Sequence, residues 1–206
     1  MTETPKRRLV VGVTGASGSI YAEKLISEGL QYFDRIYLVF TDSGYKVSEH
    51  ELKQHNNGFS LVRASRGELT EDERNVIRVL KNSDLFAPIA SGTSAPTDMV
   101  IVPCSMGTLA RISHGFSSNL LERVADVALK EKINFSIVPR ETPLSTLHLE
   151  NLLKLSRYGV NIVAPMPGFY QNPQTLDDSI NFVVGKILES LHIDHQLYKK
   201  WNARMI

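Results

Sequence analysis

The feature that most constrains the fold is an alternation of short apolar runs with stretches in which apolar residues recur at helical spacing. Residues 9–14, 98–103 and 134–139 are largely apolar runs of strand length, which is typical of strands buried on both faces. Strands that alternate with helices form parallel sheets, because each helix carries the chain back across one face. The pattern therefore predicts an α/β fold with a doubly wound parallel sheet between two layers of helices.

The remaining elements follow from the same two periodicities. Residues 35–41 and 160–164 are predicted as strands, and a further short strand is expected at residues 59–62, within a long polar stretch. Thr70 and Glu73 have the spacing of a capping box, which predicts a helix from there to about residue 80. Other helices are predicted over residues 20–28, 43–51, 119–131 and 145–157, and a last helix follows Thr175.

Length, charge and cysteine content narrow the function classes. A chain of 206 residues fits a single domain, residues 1–206, around one core. The 23 basic and 22 acidic side chains leave a formal charge of +1, without the basic excess of a nucleic-acid-binding protein. The apolar runs are too short to span a bilayer, and Cys104 is the only cysteine, which excludes an intrachain disulfide. We expect a cytoplasmic protein with no nucleic-acid or membrane partner.

The first predicted strand is followed by a turn rich in glycine. Gly12, Gly15 and Gly18 lie three residues apart, and glycine at a strand-to-helix turn lets backbone N–H groups approach an anion. The spacing differs from the G-x-G-x-x-G of dinucleotide sites and lacks the lysine of a P-loop. Asp42, after the second strand, still leaves an NAD ribose contact open. A turn that serves packing alone is the other interpretation.

Polar loops also follow later strands. Residues 104–108 combine small and hydroxyl-bearing side chains with a helix start, which suits a phosphate or the edge of a polar ring. Arg140 can clamp a phosphate and Glu141 can transfer a proton, although both also suit a salt-bridged surface loop. A further hydroxyl-rich loop, residues 91–96, precedes the strand at 98–103 and is expected at the same edge of the sheet. Ligands of parallel sheets bind at the carboxyl ends of the strands, so these loops are expected to share one site.

Several residues remain ambiguous on their own. Cys104 stands where a nucleophile at a helix start would stand, but burial as a small packed residue is favoured, because no histidine forms a partner motif. The six histidines show no ligand spacing, so no metal is expected, and His192 and His195 are expected to be exposed. Four other side chains would suit an anion pocket if they came together, but each alone fits an ordinary surface or interface position. They are Arg123, Lys130, Tyr170 and Lys186.

Five motifs in order along the chain resemble the UbiX family of flavin prenyltransferases. The resemblance covers about residues 9–201 and is weakest over residues 52–83. The motifs are Val13-Thr14-Gly15-Ala16-Ser17-Gly18, Pro103-Cys104-Ser105-Met106-Gly107-Thr108-Leu109, the run ERVADVALKE at 122–131, Val138-Pro139-Arg140-Glu141-Thr142-Pro143, and Pro167-Gly168-Phe169-Tyr170.

This resemblance implies a flavodoxin-like or Rossmann-like three-layer fold, a homododecamer and a metal-independent prenyltransferase. Such an enzyme joins the dimethylallyl group of dimethylallyl monophosphate to reduced FMN and builds a fourth ring on the flavin. Its product, prenylated FMN, serves UbiD-type decarboxylases, often in ubiquinone biosynthesis. The C-terminal tail, residues 192–206, is expected at a subunit interface.

The resemblance also implies a site, residue by residue. Thr41 stands where other members carry Ser, and Lys186 stands where they carry Arg, which keeps the charge but not the bidentate geometry. Catalytic roles are implied for Ser17, Glu51, Lys130 and Glu141, with Ser17 as a proton relay to Glu51. Contacts with FMN are implied for Gly15, Ala16, Ser17, Thr41, Ser105, Met106, Gly107, Thr108 and Arg140. Contacts with dimethylallyl phosphate are implied for Arg123, Lys130, Tyr170 and Lys186, with Trp201 covering the prenyl group.

Three other functions stay open at this point. A related flavin-dependent cysteine decarboxylase would share the fold and FMN, but its histidine base and asparagine-rich clamp are not found in place. A non-catalytic flavin carrier would not need the four anion-pocket side chains together. An NAD oxidoreductase rests only on Gly15, Gly18 and Asp42.

Overall fold

A computed structural model describes residues 7–53 and 59–200, and its centre is a sheet of six strands that pair in parallel. The order across the sheet places the third and second strands on one side of the first, and the fourth, fifth and sixth on the other. In chain order the strands are β1 (Arg8–Val13), β2 (Arg35–Phe40), β3 (Ile77–Leu80), β4 (Asp98–Cys104), β5 (Asn134–Pro139) and β6 (Asn161–Ile162).

The predicted fold class is confirmed. The full order β3-β2-β1-β4-β5-β6 is that of a Rossmann sheet. Without the edge strand β3, the remaining five strands have the flavodoxin order. In both descriptions the direction of strand addition reverses between β1 and β4, and such a reversal opens a crevice at the carboxyl ends of the two strands.

Helices cover both faces of the sheet, as the buried strands require. The described helices are α1 (Ser19–Gly29), α2 (Asp42–Glu51), α3 (Leu61–Ser65), α4 (Glu71–Val76), α5 (Met106–Ser113), α6 (Leu120–Glu131), α7 (Thr146–Arg157) and α8 (Leu176–Ser190). The odd positions of β1, such as Val11, pack with α1 and α8, whereas Val10 packs with α5 and α6. Short 3-10 turns lie at Pro88–Ala90, Gly92–Ser94 and Phe169–Gln171.

Helix starts are set by side-chain caps. Ser105, Asn119 and Thr175 each accept a hydrogen bond from the backbone N–H three residues on, which satisfies one of the donors that a helix start leaves free. On α6 and α8 the apolar residues at helical spacing are the buried ones, as their pattern predicted. They are Leu120, Leu121, Val124, Ala125 and Ala128 on α6, and Ile180, Val183, Val184, Ile187 and Leu188 on α8.

The weakly patterned stretch before β3 is where the sequence prediction was wrong. Residues 59–62 do not form a strand, because Ser60 caps the short helix α3 and accepts from the N–H of Arg63. The capping box at Thr70 and Glu73 does start a helix, but α4 ends at Val76 instead of residue 80. Residues 77–80 extend and pair with β2, which gives the sheet its extra edge strand.

The C-terminal segment after α8 differs from expectation at one histidine. His192 is exposed as predicted, but His195 is only 4 % exposed and packs beside Tyr198 with ring centroids 5.0 Å apart. This segment turns back along α8 instead of extending into solvent, so a histidine near the chain end becomes buried.

Candidate functional site

The candidate site lies at the carboxyl edge of the sheet, around the crevice between β1 and β4. Four loops meet this edge, at residues 14–18, 41–44, 105–108 and 140–143, and they follow β1, β2, β4 and β5. These strands are neighbours in the sheet, so loops far apart in the sequence come together. The topology therefore brings the polar loops after these strands to one edge. The hydroxyl-rich loop at residues 91–96 was expected at the same edge, but it precedes β4 and lies at the amino end of that strand.

Thr14 ties the two strands of the crevice together. Its buried hydroxyl Oγ1 donates to the carbonyl oxygen of Pro103 at 2.8 Å and accepts from the backbone N–H of Ser105 at 2.8 Å. The backbone N–H of Thr14 reaches the same Pro103 oxygen at 3.3 Å. Thr14 stands in the first motif of the resemblance, but nothing in the local sequence indicates that its hydroxyl joins β1 to β4.

The start of α5 offers donors to a ligand. Ser105 caps the helix by accepting from the N–H of Thr108 at 3.3 Å, and its hydroxyl donates to Thr108 Oγ1 at 3.1 Å. The N–H groups of Met106 and Gly107 belong to the first turn, where no carbonyl lies one turn earlier in the helix to accept them. No atom lies within 4 Å of where a Gly107 side chain would begin, so the helix start is open. This arrangement suits an anion or a polar ring edge.

The glycine loop after β1 packs against the start of α2. A side chain at Gly15 would collide with Ser43, so glycine at this position allows the two loops to touch. Thr41 caps α2, accepting from the N–H of Gly44 at 3.0 Å. On the other side, Arg140 Nε donates to the carbonyl oxygen of Ser17 at 3.3 Å. The residues predicted to contact FMN therefore line one edge, between the loops after β2 and β5.

Glu51 closes the start of α1 from the end of α2. Its Oε2 accepts from the N–H groups of Gly18 at 3.0 Å and Ser19 at 2.9 Å, and the nearby Ser17 hydroxyl stabilises the charged carboxylate. Partial burial works against ionisation, but the hydrogen bonds from Ser17, Ser19 and Gly18 outweigh it and lower the pKa of Glu51. Gly18 can take part because its φ of +115° lies where side chains are strained.

The position of Glu51 has a consequence for ligand placement, because the carboxylate takes the donors at the start of α1 that a phosphate would use in many nucleotide sites. The start of α5, with Ser105 and Thr108, is left as the better place for an anion at this edge.

The other predicted carboxylate, Glu141, lies in the exposed loop after β5. Its Oε1 accepts from the N–H of the next residue, Thr142, at 3.1 Å, so the side chain stays close to the backbone beside Arg140. The loop is anchored because the N–H of Arg140 donates to the carbonyl oxygen of Cys104 at 3.1 Å.

Tyr170 and Lys186 come together on a second surface. The exposed Tyr170 ring meets the edge of Phe182 with centroids 5.8 Å apart, and Lys186 Nζ lies 5.7 Å from the Phe182 ring centre. Lys186 pairs with Glu189 at 2.8 Å, and hydrogen bonds to Glu189 and Tyr198 raise the pKa of its ammonium group. Lys186 is therefore held as a cation.

Arg123 and Lys130 are not brought to these residues within one chain. Both lie on α6, which covers the opposite face of the sheet from α8. Arg123 contacts Asp126 at 2.9 Å and the Ala90 carbonyl at 3.1 Å. Lys130 pairs with its neighbour Glu131 and precedes the amino end of β5, about 16 Å of strand away from the edge that carries Arg140.

Two other predictions concern the thiol of Cys104 and the aromatic ring of Trp201, which was expected to cover the prenyl group. Cys104 is fully buried, and this burial strongly raises the pKa of its thiol, which confirms the packed role and argues against a nucleophile. Trp201 lies outside the described residues. Within residues 7–53 and 59–200 no group of three His, Cys, Asp or Glu side chains is placed to hold a metal ion.

The donor set fits a flavin mononucleotide. Exposed backbone N–H groups and hydroxyls suit its phosphate and ribityl chain, and Arg140 adds a charge at the same edge. Gly15 and Ser17 are exposed at this edge, so the backbone and hydroxyl of the loop are accessible to a flat ring. The fold and this edge together define a flavin-binding α/β protein.

The comparisons with known proteins agree with that class. A family model described as Flavoprotein matches residues 1–188. Curated flavin prenyltransferases named UbiX match nearly the whole chain: the protein of Alkalihalophilus pseudofirmus is 46 % identical over 98 % of this chain and 99 % of its own. That of Halalkalibacterium halodurans is 48 % identical over 93 % of this chain and 91 % of its own. The chain therefore belongs to the UbiX flavin prenyltransferases, a branch of the flavoproteins and a family of prenyl-transferring enzymes.

Solved structures give the same result at the level of the fold. AnUbiX, crystallised with FMN and dimethylallyl pyrophosphate, superposes with a TM-score of 0.83 at 32 % identity, covering 96 % of this chain and 98 % of that one. A dodecameric FMN-dependent UbiX-like decarboxylase from Escherichia coli O157:H7 gives 0.82 at 34 % identity, over 95 % and 100 %. The peptidyl-cysteine decarboxylase EpiD shares only the fold, at 15 % identity and a TM-score of 0.55.

Proposed function

We propose that this protein transfers the dimethylallyl group of dimethylallyl monophosphate to reduced FMN and releases prenylated FMN. The observation that carries the proposal is the carboxyl edge, where the open start of α5 and the loop that Glu51 closes, residues 14–18, follow the neighbouring strands β4 and β1. The start of α5 suits the phosphate of a flavin, and Ser17 with Glu51 can move a proton. Relatives at 46 % and 48 % identity are curated as flavin prenyltransferases, which supports the assignment of the reaction.

FMN is held by the residues that meet at this edge. Ser105, Met106, Gly107 and Thr108 present the start of α5, whose N–H groups and hydroxyls stabilise a phosphate. Arg140 adds a positive charge from the loop after β5. Gly15, Ala16, Ser17 and Thr41 complete the wall beside the flat ring.

The phosphate of the prenyl donor meets a separate set of cations. When the allyl carbon–oxygen bond breaks, the phosphate leaves with the bonding electron pair, and positive charges placed beside it lower the barrier. Tyr170 and Lys186 supply a hydroxyl and an ammonium group from one chain. Because α6 lies on the other face of the sheet, we propose that Arg123 and Lys130 reach the same site from a neighbouring copy.

Two carboxylates handle protons in this proposal. The Ser17 hydroxyl lies close enough to Glu51 to stabilise its charge, and in this proposal it passes a proton between the flavin side of the loop and the carboxylate. Glu141, in the exposed loop beside Arg140, serves the leaving phosphate. Trp201 covers the prenyl group, and the tail of residues 192–206 lies at an interface between copies.

Assembly and pathway are also part of the proposal. We propose a homododecamer, since a structure 34 % identical to this chain is described as dodecameric. No described helix is long and apolar enough to cross a bilayer. We propose that the enzyme works in the cytoplasm without a metal and hands its product to a UbiD-type decarboxylase, with ubiquinone biosynthesis as one destination.

The test is an anaerobic, metal-free incubation with reduced FMN and a prenyl donor, followed by mass spectrometry of the released flavin. Dimethylallyl monophosphate and diphosphate are compared, because AnUbiX was crystallised with the pyrophosphate. A flavin heavier by one five-carbon unit, formed faster from the monophosphate, is the expected result. Tightly bound but unmodified FMN would instead indicate a carrier or a cysteine decarboxylase, and a preference for NADH over FMN in a titration would indicate an oxidoreductase.

A further inference from the structure

The Lys186 ammonium group is held by two residues that the resemblance does not assign. Lys186 Nζ donates to Oε2 of Glu189, one helical turn further along α8, at 2.8 Å. The Tyr198 hydroxyl donates to the other oxygen of Glu189, Oε1, at 2.6 Å. The same Tyr198 ring lies under the ammonium group, with 5.4 Å between Nζ and the ring centre.

Tyr198 reaches this place because the chain after α8 folds back along the helix. Gly185 makes the close approach possible, since a side chain there would collide with Tyr198 and His195. The segment is fastened at its far end by Gln171, whose Nε2 donates to the carbonyl oxygen of Lys199 at 3.0 Å. Gln171 is the neighbour of Tyr170. The segment after α8 therefore connects Tyr170 with Lys186, the two residues proposed to bind the phosphate of the prenyl donor.

The carboxylate of Glu189 is itself held in place by its neighbours. Both oxygens of Glu189 are engaged, one by the ammonium group and one by the tyrosine hydroxyl, and His195 Nε2 lies 3.6 Å from Oε1. These contacts fix the carboxylate in one orientation. A lysine on its long stem loses much rotational freedom when it binds a phosphate, and a lysine that is already held loses less.

We propose that Glu189 and Tyr198 are positioning residues, which hold the Lys186 ammonium group in place for the phosphate of the prenyl donor. This inference rests on the proposed function of Lys186. Neither residue touches the reacting atoms in this proposal, and each acts through Lys186. The C-terminal segment thereby forms part of the surface that presents Lys186 to the donor.

The experiment measures the dissociation constant of dimethylallyl monophosphate by calorimetry on full-length protein loaded with oxidised FMN, which does not turn over. Tyr198→Phe removes the hydroxyl that orients Glu189 but keeps the ring beneath Lys186. Glu189→Asp keeps the charge but shortens the side chain, so it tests position apart from charge. Each is made alone and together with Lys186→Gln, and Tyr32→Phe, in the turn between α1 and β2, is the matched control.

We expect Lys186→Gln to weaken donor binding about 10-fold or more, and Tyr198→Phe and Glu189→Asp each about 3- to 10-fold, with FMN affinity unchanged. In the Lys186→Gln background neither second change should weaken binding further, whereas Tyr32→Phe should have no effect in either background. Equal losses with and without Lys186, or no loss in the single variants, would overturn the proposal. So would wild-type protein that does not bind the donor.

The two proposals fail in different ways. Donor binding with the expected dependence on Lys186, but no prenylated flavin from reduced FMN, would leave the positioning role and remove the proposed reaction. The opposite outcome is a protein that forms prenylated flavin but in which the losses of donor affinity caused by Tyr198→Phe and Lys186→Gln multiply in the double variant. That outcome would leave the proposed reaction and remove the positioning role.

Discussion

At the scale of single residues, the most informative side chain is Glu51, because it serves the fold and the proposed chemistry at once. It accepts from Gly18 and Ser19 at the start of α1, where helix geometry leaves donors free, and the nearby Ser17 hydroxyl stabilises its charge. A carboxylate at a helix start is also favoured by the helix dipole. Its removal should therefore be visible in stability as well as in turnover.

Glu51→Gln should lower the free energy of unfolding by about 1 kcal/mol at pH 7. The pKa of Glu51 is lowered in the folded state from an ordinary value of 4.5, so its stabilisation is present above that value and is lost as the pH falls below it. Urea unfolding at pH 7 and pH 3.5 measures both. Glu150→Gln, at an exposed position of α7, is the control, and an equal difference at the two pH values would contradict the prediction.

Cys104 should be inert in the folded protein. Its thiol is buried and its pKa is strongly raised by that burial, so the reactive thiolate is scarce. A thiol reagent at pH 8 should label the native protein at least about 100-fold more slowly than the protein in urea. Because the chain has no other cysteine, the signal has one source. Rapid labelling of native protein would show that the site is open to solvent.

Glu141→Gln tests a catalytic carboxylate that contributes little to packing. Its side chain is exposed and its one described contact is with the adjacent N–H of Thr142, so the fold should tolerate the change. We expect turnover to fall about 10- to 100-fold, in the range of a lost proton-transfer group, while FMN affinity stays within about twofold. Turnover and flavin binding are measured on the same preparation. Unchanged turnover would exclude the assigned role.

At the scale of elements, the site depends on how the ends of β1 and β4 are joined. Thr14 makes this connection with one hydroxyl, which donates to Pro103 and accepts from Ser105. The helix α5 starts at that same Ser105, so the joint also sets the helix start that faces the ligand.

Thr14→Val keeps the shape of the side chain but removes the hydroxyl. The Ser105 N–H and the Pro103 carbonyl then lose a partner, and we expect the free energy of unfolding to fall by about 1–3 kcal/mol, together with weaker FMN binding. Urea unfolding and flavin titration measure the two effects. Thr146→Val, at the exposed start of α7, should change neither quantity. Stability equal to wild type would show that Thr14 does not connect the strands.

The elements α3, α4 and β3 show where the local sequence pattern was insufficient to predict the secondary structure. The capping box at Thr70 and Glu73 was a correct signal, because its hydrogen bonds form within four residues. The end of α4 could not be found in the same way, since residues 77–80 become a strand only by pairing with β2, whose residues lie about 40 positions earlier. The apolar residues at 59–62 fit a strand or a short helix equally well, and the Ser60 cap decided for the helix.

At the scale of the whole molecule, the proposed donor site does not close within one chain. Lys186 belongs to the face of α8 and Lys130 to the far end of α6, with the sheet between them. If both act on one phosphate, they come from different copies of the protein.

Mixed assemblies test this directly. Lys130→Ala and Lys186→Gln variants with different tags are expressed together, and the doubly tagged assemblies are purified. If each site takes Lys186 from one copy and Lys130 from another, about a quarter of the sites in an equal mixture regain both residues, so activity should rise well above the sum of the separate variants. A wild-type mixture with the same tags is the control. Activity equal to that sum would show that both lysines serve a site within one chain.

The sequence by itself determined the class of fold and the polar loops at the carboxyl edge, and it predicted which residues surround the flavin. These depend on short-range information: the periodicity of apolar residues, caps such as Ser105, and motifs such as Gly15-Ala16-Ser17 whose members are adjacent. Only the tertiary structure decided that Glu51 closes α1, that residues 77–80 join the sheet, and that Lys130 and Lys186 lie on opposite faces. The physical reason is that strand order and helix packing bring together residues distant in the chain, and no local periodicity encodes which of them meet.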